Sequence, residues 1–251
     1  MNVVSLHPLR PEIAERYVAA LEGTHEPPPA WSAWWNESLR GALAKARTGD
    51  ERAANQISLG LAWALGATEP SYLIPGFGLS IWEARIDRGI GMLLRPPSRL
   101  FLDAGLNAET ARAMPIRLDP QMGMMGGAYV PPRLVPDLHE LLESRFERTV
   151  RRLVEADYDP VAILGPVHEA VDRARTQGHG LFEALDAFGP DGQGMPGMRV
   201  IMADPKRMDK ALRRRIEAAQ RVPRKAGLLV RLFGRAPVSH PISENGHLPR
   251  E

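Results

Sequence analysis

The sequence contains no cysteine, which excludes disulfides, thiolate metal sites and cysteine nucleophiles. Lysine is nearly as scarce, with four against 28 arginines. That bias reads as the codon usage of a GC-rich genome rather than as a function. Aromatic residues make up 6% of the chain, and all five tryptophans precede residue 83. There is no long hydrophobic run. The longest uncharged apolar piece, around residues 57–67, falls far short of the roughly 18 residues a membrane-spanning helix needs. The opening residues, MNVVSLHPLRPEI, lack the basic start and apolar core of a signal peptide. The expected location is therefore the cytoplasm, with no transmembrane segment.

Signature motifs are missing too. The chain holds no Gly-x-Ser-x-Gly elbow, no His-Glu-x-x-His and no Walker sequence. Its carboxylates show no distinctive paired spacing, so acid–base hydrolysis has no sequence support. No reaction is fixed by these residues.

What is present is ordinary globular composition, 44% hydrophobic and 25% charged over 251 residues, enough chain for one large domain or two small ones. The net charge is only +2, but it is unevenly spread. Between Asp204 and Arg235 there are 11 Lys or Arg and three acids, a surplus of +8, so the other 219 residues sum to −6. Such asymmetry marks an interaction arm.

Start and stop signals outline helices. Pro11 and Gly23 frame one near 11–22. From Trp31 to about Arg47, the residues Trp31, Trp34, Trp35, Leu39 and Leu43 make an apolar stripe. Asp50 caps a third helix running to Leu65, and Ser80 with Glu83 has capping-box spacing for a helix starting at Ile81. Leu138, Leu141, Leu142, Phe146, Val150, Leu153 and Val154 predict one helix between Pro136 and Ala156. Asp159-Pro160 then opens another, closed by Gly178. The short connection predicts an antiparallel hairpin. Strands are expected only at 198–203 and, more weakly, at 99–103 and 128–130.

Residues 74–132 are unusual. They hold eight of the 23 glycines, seven of the 23 prolines, five of the ten methionines and six arginines. A segment both irregular and apolar must lie against a core, a ligand or a partner. Gly76 and Gly78 approach a helix start, which suits an anion. Arg88, Arg95 and Arg99 follow, and His179, flanked by Gly178 and Gly180, is an accessible acid–base candidate. His139 with Glu143 and His168 with Asp172 sit at i, i+4, where surface ion pairs are the expected outcome rather than a metal site.

The fold class these signals predict is mainly α, an α+β domain with few short strands. It has an irregular helical body at 1–203, a basic amphipathic extension at 204–235 and a disordered tail at 236–251. No cofactor and no metal are expected. The functional expectation is a non-enzymatic binding or scaffold protein acting through its basic arm on an anionic partner: an acidic protein, a nucleic acid or a membrane surface. Arg213, Arg214, Arg221, Arg224, Lys225, Arg231 and Arg235 are the binding candidates. The alternative is an enzyme with an anionic small-molecule substrate, its pocket formed by 74–132 with Arg88, Arg95, Arg99 and His179 at the anion.

Overall fold

The computed structural model describes residues 3–115, 126–188 and 198–221. Val3–Leu9 forms β1, with all seven residues buried. Its sequence, VVSLHPL, does not alternate apolar and polar residues, which is the mark of a strand covered on both faces. Pro11, at a first helical position, opens α1 (Pro11–Leu21). A 3-10 turn at Pro29–Trp31, the single turn α2 (Ser32–Trp34) and a π-helical turn at Trp35–Leu39 lead to α3 (Ala42–Arg47). α4 (Glu51–Gly66) starts at Asp50, whose carboxylate accepts from the Ala53 amide at 3.0 Å. Then come β2 (Ser71–Pro75), α5 (Leu79–Arg85), a 3-10 turn at Arg88–Met92, α6 (Pro97–Asp103) and α7 (Ala108–Ala111). The chain continues through β3 (Gly126–Val130), α8 (Val135–Ser144), α9 (Phe146–Glu155) and α10 (Pro160–Gln177). β4 (Gly180–Leu185), β5 (Val200–Met202) and α11 (Lys210–Arg221) complete it.

The strands make one mixed sheet in the order β3-β4-β1-β2-β5. β1 runs antiparallel to both neighbours, with Val4 opposite Ile74 on one side and Leu185 on the other. β3 is antiparallel to β4, and β2 is parallel to β5. Pro8, which has no N–H to give, falls after the last β1–β2 pair, Leu6 with Tyr72.

Each face of the sheet carries its own core. On one, Leu9, Leu73, Tyr129 and Phe182 pack with α1, α4, α6 and the tryptophans Trp31, Trp34 and Trp35. Tyr17 stands edge-on to Trp31 and Trp35 and donates to the Ile57 carbonyl at 2.7 Å. On the other, Leu6, Tyr72, Ile74, Val130 and Leu181 pack with α5, α8, α9, α10 and α11. Two helical layers thus enclose one sheet.

The molecule is mainly helical with a strand component, as the composition of its segments suggested, but the sheet is larger than expected. β1, β2 and β4 were not foreseen. Residues 99–103, expected as a weak strand, belong to α6. The helix expected at 136–156 is two helices, broken where Arg145 adopts φ −110° and ψ 11°. The Arg145 guanidinium reaches Asp87 at 2.8 Å. The break turns Val154 out to solvent while Val150 and Leu153 stay buried. The helical hairpin expected here is therefore three packed segments, α8 and α9 against α10. The stripe expected from Trp31 to Arg47 is also interrupted, at Gly41, which takes φ +78°.

Candidate functional site

α11 carries three of the predicted partner-binding residues, Arg213, Arg214 and Arg221. Asp209 caps it, accepting from the Leu212 amide at 2.9 Å. Its apolar stripe faces the body, with Ile216 and Ala219 buried and Met208 and Leu212 packed beside them. Gly165 on α10 makes room for Met208, because a Cβ there would lie 2.7 Å from its methyl. Arg215 fixes the flank of the helix. It bonds Glu143 at 2.8 Å and lies 4.2 Å over the Phe146 ring. That bond, more than the opposing effect of partial burial, holds the Glu143 carboxyl below its ordinary range. The outward face is basic. Lys206, Arg207, Lys210, Arg213, Arg214 and Arg221 are all exposed. Arg207 pairs with Asp204 at 3.6 Å and Arg213 with Glu217 at 3.1 Å. Lys206, Lys210, Arg214 and Arg221 make no ion pair with any described residue. Arg224, Lys225, Arg231 and Arg235 lie outside the described residues, as does the 236–251 tail.

The two histidine–acid pairs expected within single helices instead cross between them. His139 Nε2 lies 3.3 Å from Asp172, and His168 Nδ1 lies 3.6 Å from Glu143. His168 is buried rather than at the surface, and burial lowers its pKa. Glu143 thus sits between His168 and Arg215, beneath α11. Among the described residues no group of three or more His, Asp or Glu has the arrangement of a metal site.

The anion candidates of 74–132 are placed differently. Arg95 donates to the Met92 and Leu94 carbonyls at 2.8 and 2.7 Å, and Arg99 pairs with Asp103 at 2.8 Å. Arg88 is exposed on the 3-10 turn. His179 follows the left-handed Gly178 cap of α10, where Glu69, Arg10, Glu12 and Arg173 surround it. Burial lowers its pKa, and its Nδ1 has no hydrogen-bond partner. Arg95 and Arg99 thus have partners within their own segment. Of the 74–132 segment, residues 116–125 lie outside the described ones.

A strand, β2, does precede Gly76 and Gly78, contrary to the sequence reading. The helix start behind them is occupied by a carboxyl group of the chain itself. Glu183 on β4 accepts from the Leu79 amide, from the Ser80 hydroxyl at 2.7 Å and from the Ser80 amide at 3.4 Å. Its side chain is fully buried, and desolvation raises its pKa despite the bonds from Ser80, Leu79 and Ala128. A Cβ at Gly78 would collide with the Glu183 carboxylate, and one at Gly127 with its backbone carbonyl. These glycines serve an internal cap rather than an open phosphate cradle.

One further buried polar group went unread. His7 on β1 lies between Ser5 Oγ, 2.9 Å from Nε2, and Ser71 Oγ, 3.0 Å from Nδ1. Ser5 Oγ also lies 3.3 Å from the Ala184 carbonyl, and a neutral His7 ring donates from one nitrogen and accepts at the other. Phe188 stacks on the ring at 5.9 Å. All three polar side chains are sealed from solvent. The signal was the His inside VVSLHPL, legible only once that run is known to be a central strand. A crevice of about 40 Å³, lined by Leu9, Pro11, Ala14, Glu15, Leu100, Asp103, Ala104 and Tyr129, holds none of the predicted residues. Among the described residues no helix is long and apolar enough to cross a membrane. Compared with known proteins, the chain matches no family model, no curated sequence and no solved structure.

Proposed function

We propose that this is a cytoplasmic, non-enzymatic binding protein that acts on an anionic partner through its basic C-terminal extension, beginning with α11. The observation that carries this reading is the division of labour on that helix. Its apolar stripe is covered by the body, while Lys210, Arg214 and Arg221 are exposed with no ion-pair partner among the described residues. Uncompensated cations on one face raise the local concentration of polyanions and speed their association. The alternative, an enzyme acting on an anionic small molecule within 74–132, has weaker support. Arg95 and Arg99 are already engaged with carbonyls and Asp103, and Glu183 fills the helix start.

Charge reversal tests the reading. In the R213E/R214E variant, retention on a heparin column should collapse while the melting temperature changes little, since surface charges stabilise weakly. Unchanged retention in the variant, or no retention of the parent protein, would count against it.

A further inference from the structure

We infer that the partner of the outward face of α11 is the phosphate backbone of duplex nucleic acid, bound without base readout; this rests on the proposed function and names its ligand. At 100° per residue, Lys210, Arg214 and Arg221 fall within about 40° of one another on the helix. The buried Ile216 and Ala219 lie on the opposite side. The cationic row is thus set by the docking of the apolar stripe, and the helix does not need to rotate to present it.

The row also has a suitable length. From Lys210 to Arg221 the axis rises about 16 Å at 1.5 Å per residue. B-form DNA has a major groove about 12 Å wide. Side chains at the two ends of the row therefore reach phosphates on both sides of a groove, with Arg214 between them. Arginine suits this role because its planar fork meets phosphate oxygens in pairs.

What the face lacks selects among anionic partners. The large exposed apolar side chains among the described residues are Met92, Leu102, Val154 and Met202, none of them on α11. A helix that lies in a membrane surface inserts an apolar face, and here that face is buried against the body. A protein partner would need an apolar or aromatic centre to the interface, and the outward face offers none. It also carries no aromatic side chain, so unpaired bases find no stacking platform. Gln220 is the one neutral amide on α11, too little for a base-specific code. A uniform, rigid, phosphate-bearing surface matches what is left.

The test uses the full chain and two fluorescein-labelled 20-base-pair DNA duplexes of unrelated sequence, followed by anisotropy from 50 to 200 mM salt. Both duplexes should bind within about twofold of each other. The logarithm of affinity should fall with the logarithm of salt at a slope of about −3 or steeper, near −0.9 per phosphate for at least three contacts. K210E/R214E should weaken binding at least tenfold and flatten the slope by about two, with an unchanged melting temperature; K210Q/R214Q, less perturbing to the fold, should do the same in smaller measure. A tenfold preference for one duplex would overturn the backbone-only assignment. Undiminished binding by both variants would overturn the role of this face. If the parent instead binds phosphatidylserine vesicles or polyglutamate and no duplex, the partner assignment is wrong while the basic-arm function stands. Binding to none of the three sinks both.

Discussion

Two buried ionisable side chains, His7 and Glu183, give the molecule opposite responses to pH. Desolvation drives the His7 pKa from its ordinary 6.5 down to about 3. The unfolded chain therefore binds this proton more readily than the native one. The stability His7 contributes is present above pH 6.5 and is lost as pH falls toward 3, at roughly 1.4 kcal/mol per pH unit from this group alone. H7Q keeps a donor and an acceptor for Ser5 and Ser71 without a titrating ring. Urea denaturation between pH 7 and pH 4 should show a shallower loss of stability for H7Q than for the parent. Parallel curves would mean that His7 is not the buried neutral imidazole described here. Glu183 runs the other way, because its raised pKa favours the protonated native state. Its contribution is fully present below its unfolded value, near the ordinary 4.5, and declines as pH rises through the folded value. E183A removes the acceptor shared by the Leu79 and Ser80 amides, and the expected cost is about 2–4 kcal/mol, from orphaned buried donors and the space left behind. A cost below 0.5 kcal/mol would show that the α5 start is satisfied in some other way.

At the scale of elements, what was legible in the sequence depended on how local the signal is. Caps are local. Pro11, Asp50, Asp159 and Gly178 mark the ends of α1, α4 and α10 within a residue or two, and the Asp159 carboxylate accepts from the Val161 amide at 2.8 Å. Strands buried on both faces lose the alternation that identifies them, so VVSLHPL and GLFEAL gave no period-two signal. The break at Arg145 was hidden for another reason. The partner of Arg145 is Asp87, 58 residues away, on which burial acts upward but the bonds from Arg145 and Gly89 prevail, holding the carboxyl below its usual range. The candidate site divided in the same way. The basic stripe of α11 could be read from periodicity, whereas the glycines at 78 and 127 made sense only with Glu183 beside them. The packing of α8 and α9 on α10 is tested at Leu142 and Leu164, which are 2% and 1% exposed. Truncation of either to alanine should cost about 2–5 kcal/mol in chemical denaturation. Losses under 0.5 kcal/mol at both positions would rule out a shared core there.

On the scale of the whole molecule, the question is what holds α11 against the body. The contact has two parts. Ile216, fully buried, and Ala219 dock by apolar burial, which salt scarcely weakens. The Arg215–Glu143 pair is nearly half exposed on the arginine side, and such pairs contribute about 0–1 kcal/mol and are screened by salt. Apolar burial should therefore dominate the docking, while the outward cations dominate any binding to polyanions. The docking face and the proposed binding face of the helix are then separable by mutation. I216A should destabilise the fold by about 2–4 kcal/mol, by the cavity it leaves beneath α11, and that loss should be the same at 50 and 500 mM salt. K210E/R214E should leave stability within about 0.5 kcal/mol of the parent at both salt concentrations, as expected for exposed substitutions that remove no cap bond and no core contact. If I216A were harmless, or if its cost vanished at high salt, α11 would be held by charge rather than by its apolar stripe. The outward cations would then be part of the docking contact, and the division of the helix into a structural face and a binding face would fail.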